Sequence, residues 1–181
     1  MRQLQVKNDF PTKRNGKIFC LETEWSSEED NIQDKSPVKS LLEFMENTKS
    51  MNMCTCFRQV ACYWDFKYYL EHLKTEAFQN YNIVYLCFHG SPGKIALADG
   101  KHVSLIGLGR DYPAIFKGRY VHFDSCSTLE CSTEAIRDFK KITGARVVSG
   151  FTKTVEFNAS FIFELWLFSV LSTKPDLTAK K

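Results

Sequence analysis

The chain has 181 residues, of which 44% are hydrophobic and 25% are charged, and this is the composition of an ordinary globular protein. Its length suits one domain with a sizeable core. The formal net charge of +3 comes from the ends, because residues 1–17 carry +4, residues 172–181 carry +2 and the middle carries −3. A folded nucleic-acid-binding domain would have a basic face of its own, so the composition argues against nucleic acid as a partner.

The cysteines indicate a reducing compartment. There are seven of them, an odd number, and several lie within apolar, strand-like runs. Residues 1–17 are polar and contain no apolar leader segment. These features predict a cytoplasmic protein with reduced, buried thiols. Cys54 and Cys56 have no second pair or histidine at zinc-site spacing, so we expect no metal site.

The first half of the chain alternates strand and helix patterns. The run KIFCLE predicts a first strand, and Ser36 followed by Pro37 predicts the start of a helix. The apolar residues of that helix have the spacing i, i+3, i+4, i+7: Val38, Leu41, Leu42 and Met45. MCTCFRQVA predicts a second strand and DFKYYLEHLKTEAF a second helix. NIVYLCF predicts a third strand, and its unbroken apolar run is typical of a strand buried on both faces of a parallel sheet.

The second half continues this alternation. KIALADGKHVSL predicts a hairpin around Asp99 and Gly100, and part of GLGRDYPAIF predicts a short helix. RYVHFDS predicts the fourth main strand, and ARVVSG predicts the fifth. Between them, Ser132 is expected to cap a helix that ends before Gly144. We therefore predict an α/β fold with a mainly parallel central sheet flanked by helices over residues 17–171, with a flexible basic arm over 1–16 and a flexible tail over 172–181.

The run FNASFIFELWLFSVL predicts a buried C-terminal helix with Asn158 as its N-cap. It contains Glu164 and is too short to cross a bilayer, so we expect no membrane contact. Its apolar residues surround the helix almost completely, whereas packing against a sheet needs only a stripe. The face that points away from the sheet is therefore predicted to contact a partner subunit.

Two reactive residues follow predicted strands. His89 follows the third main strand in FHGSPG, and Cys126 follows the fourth in FDSCST. If these strands are neighbours, both side chains lie at the carboxyl edge of the sheet, where α/β proteins form their sites. An imidazole can accept the proton of a thiol that acts as a nucleophile. Gly90 allows close backbone approach, so the N–H groups of Gly90 and Cys126 are predicted to form an oxyanion hole.

FHGS followed by DSCS resembles the two motifs of the caspase-like cysteine peptidases, and is closest to those of metacaspases and bacterial CHAT domains. The later ITGARVVSGFTKTVEFNASFIFELWLF is similar to the end of a CHAT domain. The resemblance implies a caspase-like three-layer sandwich and a cysteine endopeptidase with Cys126 as nucleophile and His89 as general base and acid. Asp124 would line the substrate pocket, and a buried carboxylate there would favour cleavage after arginine or lysine.

The resemblance further implies a regulated effector protease, such as one of bacterial defence, which acts on a protein or peptide substrate. It implies activation by a partner protein or a homodimer, and it implies no cofactor. An inactive caspase-like protein that acts by binding is the alternative.

Two residues and one short segment near these motifs have an alternative interpretation. Asp124 could instead cap the turn after its strand. His122 could be a second base, although a buried core histidine is the simpler interpretation. GSPGK lacks the hydroxyl residue that a phosphate-binding P-loop needs after its lysine, because Ile95 follows Lys94.

Overall fold

The computed structural model describes residues 16–25 and 36–173. Its strands are β1 (Gly16–Thr23), β2 (Met53–Val60), β3 (Ile83–Cys87), β4 (His89–Ser91), β5 (Lys94–Ala96), β6 (His102–Ser104), β7 (Tyr120–Asp124) and β8 (Val147–Gly150). Its helices are α1 (Pro37–Asn47), α2 (Tyr63–His72), α3 (Leu105–Asp111), α4 (Thr133–Thr143) and α5 (Phe157–Thr173), with a 3₁₀ turn over Glu76–Phe78. The predicted arm and tail lie outside the described residues, except for Gly16 in β1 and for Ser172 and Thr173 in α5.

The central sheet has five parallel strands in the order β2-β1-β3-β7-β8. β1 is the first described strand. β2 lies on one side of β1 and β3 on the other, so the direction of winding changes between β1 and β3. In the register of the sheet, Glu22 pairs with Cys87, and Cys87 pairs with Asp124. This arrangement confirms the predicted α/β fold with a parallel sheet, and it confirms that the third and fourth main strands are neighbours.

Helices cover both faces of the sheet. Phe66 of α2, Leu108 of α3 and Phe139 of α4 belong to the apolar core on one face. On the other face, the core includes the predicted apolar stripe of α1 together with Phe168 of α5. The Ser36 side chain caps α1 by accepting a hydrogen bond from the Lys39 N–H at 2.9 Å, as its position before Pro37 predicts.

A second, three-stranded antiparallel sheet follows β3 directly. It contains the predicted hairpin of β5 and β6, with Gly100 in the turn at a φ of 77°. No strand was predicted for residues 89–91, but they form β4, which pairs with β5. The sequence His-Gly-Ser contains no apolar residue and gives no strand signal, so β4 depends on pairing with its neighbour.

Helix α5 differs from its prediction in two respects. It begins at Phe157, so Asn158 lies inside the helix and is not its N-cap. Burial is confined to one side, because Ile162 and Trp166 are 69% and 60% exposed while the charged Glu164 is buried. No helix in the described residues has the length and apolar character needed to cross a membrane. Contact of the exposed side with a partner subunit stays a prediction.

Candidate site at the carboxyl edge of the sheet

A pocket of about 270 Å³ lies at the carboxyl ends of β1, β3 and β7. Its lining comes from Trp25 after β1, from residues 88–90 after β3, from residues 124–126 at the end of β7, and from Val155, Phe157 and Ser160 near the start of α5. This position adjoins the change of winding direction between β1 and β3, where doubly wound sheets bind ligands. The volume is slightly below the range of about 300–1,000 Å³ that drug-sized ligands occupy.

His89 is exposed and lies beside Trp25. Its Nε2 is 3.2 Å from the Trp25 carbonyl oxygen, and the two rings meet edge to face with centroids 5.0 Å apart. A carbonyl oxygen only accepts hydrogen bonds, so this contact places the hydrogen of the neutral ring on Nε2. Nδ1 is then the nitrogen that can accept a proton.

Cys126 lies in the turn after β7 and is half-buried. Its Sγ–H donates to the Val155 carbonyl oxygen at 3.8 Å. Between these two described side chains the structure records no thiol–imidazole hydrogen bond, although both line the same pocket. As predicted, Ser132 caps α4, which begins at Thr133, and its side chain accepts a hydrogen bond from the Ala135 N–H at 3.2 Å. The fold thus brings the two predicted catalytic residues to one pocket without joining them directly.

Gly90 packs directly against the turn that carries Cys126. A Cβ atom at Gly90 would lie 2.2 Å from the Cys126 carbonyl oxygen and 2.5 Å from Thr128 Oγ1. Thr128 Oγ1 in turn donates to the Lys94 carbonyl oxygen at 3.0 Å and accepts from Ser125 Oγ at 2.7 Å. The predicted need for glycine is therefore explained by contact within the protein. An oxyanion-binding role for the N–H groups of Gly90 and Cys126 stays a prediction.

Asp124 joins the pocket to a buried polar network that the sequence did not reveal. The Tyr85 hydroxyl contacts Asp124 Oδ2 at 3.1 Å and also contacts Glu164 Oε2. Glu164 Oε1 lies 3.6 Å from His122 Nε2, and His122 Nδ1 is 2.7 Å from Ser149 Oγ. His122 is fully buried, which favours its interpretation as a core histidine.

Burial determines the protonation of this network. Burial, with the Glu164 carboxylate adding to it, raises the pKa of Asp124 to about 8. Burial also raises the pKa of Glu164 to about 7, and it lowers the pKa of His122 to about 4. At neutral pH His122 is therefore uncharged, and the pair of carboxyl groups retains a proton. Among the described residues, no group of three or more His, Cys, Asp or Glu side chains is arranged to hold a metal ion.

Comparison with known proteins gives a family for the chain. Residues 15–180 match the profile of a family of unknown function, DUF6642. The chain belongs to this family. No curated protein sequence matches it.

Two solved structures are similar to this DUF6642 protein. One is named flavone reductase, with a TM-score of 0.50 at 8% identity, over 91% of this chain and 66% of the other. The chain thus spans slightly less than two thirds of that structure. The second is a flavodoxin from Streptococcus pneumonia TIGR4, with a TM-score of 0.39 at 12% identity, over 88% of this chain and 98% of the other.

These findings correct the family that the motifs suggested. The matched family is DUF6642 and the similar fold is that of a flavone reductase, so the assignment to caspase-like peptidases is wrong. The cysteine endopeptidase activity is wrong with it, as are the preference for arginine or lysine, the role as a defence effector and the alternative of an inactive caspase-like protein. Asp124 itself lines the pocket, where the Tyr85 hydroxyl contacts its carboxyl group, and a role for it in binding a ligand stays a prediction.

The strand order is that of flavodoxin-like sheets, in which flavin mononucleotide lies at the β1/β3 change of direction. A phosphate in such folds is bound by free N–H groups at a helix start. Here Pro37 removes one N–H at the start of α1, and Ser36 already caps another and donates to the buried Glu22 carboxylate. Among the described residues, the pocket lining contains no lysine or arginine. The described residues therefore do not fit the phosphate of this cofactor.

Proposed function

We propose that this DUF6642 protein binds a small planar molecule with a conjugated carbonyl group and reacts with it by adding the Cys126 thiol to it. The observation that carries the proposal is the shared pocket. Cys126 and His89 line one small pocket with three aromatic side chains, and the described part of its lining contains no lysine or arginine. The pocket thus combines a nucleophile, a proton acceptor and flat apolar surfaces.

The aromatic lining supports the choice of ligand. Phe88 is buried at 1% exposure, whereas Trp25 and Phe157 retain 36% and 46% exposure and can each present ring surface to a ligand. Aromatic side chains pack well on other flat rings. The solved structure with a similar fold is named flavone reductase, and a flavone is a planar aromatic ketone. At 8% identity this likeness supports the proposal only through the fold and the class of molecule in the name.

The proposed step is a balanced addition. The Cys126 thiol gives its proton to His89 Nδ1, and the thiolate sulfur forms a bond to the β-carbon of the conjugated carbonyl. The carbon–carbon π electrons move to give an enolate. The proton on His89 then reaches the α-carbon, so one S–H and one C=C π bond are replaced by one C–S and one C–H bond. General acid–base assistance of this kind contributes about 10²–10⁴-fold to a rate.

The thiols support the predicted cytoplasmic location as part of this proposal. All seven cysteines lie in the described residues, and none forms a disulfide there. A nucleophilic thiol such as the one proposed for Cys126 also needs reducing conditions to remain available. We therefore place the protein in the cytoplasm.

Chalcone, an aromatic conjugated ketone, tests the proposed reaction. Intact-protein mass spectrometry should show one adduct on the native protein, and peptide mapping should assign it to Cys126. His89→Ala should slow adduct formation at least about tenfold, because the proton acceptor is lost. Dihydrochalcone, which lacks the conjugated double bond, should give no adduct.

Cys62→Ser is the matched control, because Cys62 is also a half-buried thiol but lies at the start of α2. This variant should react with chalcone at the native rate, whereas Cys126→Ser should not react. An adduct spread over several half-buried cysteines, or a Cys126 rate that is the same in His89→Ala, would contradict the proposal.

A further inference from the structure

We infer that Asp124, Tyr85 and Glu164 form a proton-holding unit beneath the pocket, and that Asp124 donates this proton to the carbonyl oxygen of the ligand. The role in the reaction rests on the proposed function. The proton itself does not, because it follows from the contacts among the three side chains. The inference assigns a role to Tyr85 and Glu164, neither of which the proposed addition uses.

The first step is a count of protons. Tyr85 contacts both Asp124 and Glu164 through one hydroxyl oxygen, and a hydroxyl group has one proton to donate. It can donate to one carboxylate, but the second carboxyl group must then carry a proton of its own to complete its hydrogen bond. The geometry therefore requires an additional proton in this unit.

The second step concerns the surroundings of the unit. The described titratable groups that act on Asp124 or register with it are Cys20 and Glu22 of β1, Tyr85 and Cys87 of β3, His122 of β7 and Glu164 of α5. None of these is a lysine or an arginine, and burial keeps His122 uncharged by lowering its pKa to about 4. Two ionised carboxylates in this buried place would have no cation among the described residues to offset them. Retention of a proton removes one of the two charges.

The third step is access to the ligand. Asp124 is the one member of the unit among the residues that line the pocket, with 7% exposure, while Tyr85 and Glu164 are buried behind it. When the thiol adds, negative charge develops on the ligand oxygen, and a proton placed there stabilises it. Asp124 gives up its proton to form the enol and, as a carboxylate, accepts the Tyr85 O–H. The enol returns this proton to Asp124 as the proton from His89 reaches the α-carbon.

Infrared spectroscopy tests the proton without any ligand. At about pH 6 the native protein should show the C=O stretching band of a protonated buried carboxylic acid. The band should disappear as the pH rises through about 8, the pKa of Asp124. It should be absent from the double variant Asp124→Asn/Glu164→Gln and unchanged in Asp138→Asn, which alters an exposed acid. A native protein without this band, or a band that persists in the double variant, would overturn the inference.

Urea unfolding gives a second measurement of the same proton. The pKa values of Asp124 and Glu164 are raised in the folded protein, so the folded state binds a proton that the unfolded state has lost at neutral pH. This contribution to stability is present at low pH and is lost as the pH rises through about 7 and 8. The native urea midpoint should therefore fall from about pH 6 to about pH 8.5. The double variant should show a smaller fall, and an equal fall would count against the inference.

Reaction rates separate this inference from the proposed function. Asp124→Asn should slow chalcone addition at least about tenfold, because the ligand oxygen loses its proton donor. The same variant should leave alkylation of Cys126 by iodoacetamide unchanged, since that reaction forms no enolate. If the native protein forms no chalcone adduct, the proposed function fails while the infrared band still decides the presence of the proton. If Asp124→Asn slowed chalcone addition and iodoacetamide alkylation by the same factor, Asp124 would have a purely structural role and its role as proton donor would be overturned.

Discussion

Replacing Gly90 with alanine should disrupt the turn at Cys126 and reduce chalcone addition by about 10²-fold, the cost of displacing a reacting group by about 1 Å. The new Cβ would lie 2.2 Å from the Cys126 carbonyl oxygen, 2.5 Å from Thr128 Oγ1 and 3.0 Å from the Cys126 nitrogen. Two of these are backbone atoms, so no flexible side chain can move aside. Either β4 or the turn must shift, and a misfit of this kind also costs about 1–3 kcal/mol of stability.

Gly109→Ala is the matched control for this change. A Cβ atom at Gly109 would meet Ile142 and Phe139 at 3.6–3.8 Å, which is ordinary contact. Because Gly109 lies in α3, alanine there should leave stability unchanged or raise it by up to about 1 kcal/mol. The rate of chalcone addition and the free energy of unfolding in urea should be measured for both Gly90→Ala and Gly109→Ala. Native behaviour of Gly90→Ala in both measurements would show that β4 does not hold the turn of Cys126.

Arg119→Ala should lower the free energy of unfolding by about 3–4 kcal/mol, which is more than most single substitutions cost. The Arg119 guanidinium is largely buried and donates to four backbone carbonyl groups: those of Leu73 at 2.9 Å, Phe78 at 3.2 Å, Tyr81 at 3.0 Å and Ile115 at 2.6 Å. These carbonyls belong to the connection from α2 to β3 and to the segment after α3. Alanine would leave several of them without a partner, at about 1–3 kcal/mol for each one that stays buried.

Two further variants, Arg119→Lys and Arg110→Ala, serve as comparisons for Arg119→Ala. Urea unfolding measures the free energy of unfolding of all three variants. Arg119→Lys should recover only part of the loss, because an ammonium group has three donors and lacks the planar fork of the guanidinium. Arg110→Ala removes an exposed arginine whose nearest acid is Asp111 at 3.4 Å, and it should change stability by less than about 1 kcal/mol. An Arg119→Ala protein as stable as Arg110→Ala would contradict this account of the fold.

Most of the fold could be predicted because its elements have strong local patterns. The unbroken apolar run of β3 identifies a strand that is buried on both faces. The apolar stripe of α1, which follows a capping serine, identifies a helix that is buried on one side. β4 could not be predicted, since its three residues have no pattern of their own and pair with β5 only in the folded chain. The start of α5 was also missed. Its buried side was missed as well, because apolar residues surround this helix almost completely and do not distinguish one side from the other.

The site was predicted in part. Strand ends at one edge of a parallel sheet meet, so His89 and Cys126 could be placed together from the order of elements alone. Trp25 could not be placed there from the sequence, because it reaches the pocket only through the sheet order, in which β1 lies beside β3. Tyr85 and Glu164 were also missed, since Tyr85 contacts Asp124 and Glu164 across separations of 39 and 79 positions in sequence.

The peptidase assignment was wrong for a physical reason. Its motifs, FHGS and DSCS, are short, and polar residues after apolar strands are common wherever a parallel sheet forms a site. Before residue 80 the resemblance rested on the order of elements, which many doubly wound α/β proteins share. A fold of this kind supports many chemistries, so the pocket and not the motif has to identify the reaction.

The central claim is that Cys126 is an activated thiol with His89 as its proton acceptor. Iodoacetamide labelling of each cysteine at about pH 7, followed by mass spectrometry in the native protein and in His89→Ala, tests it most directly. The account predicts that Cys126 labels faster than the half-buried Cys54 and Cys62, and that His89→Ala removes this difference. Labelling of Cys126 at the same rate as these thiols, or at a rate that does not change in His89→Ala, would contradict it.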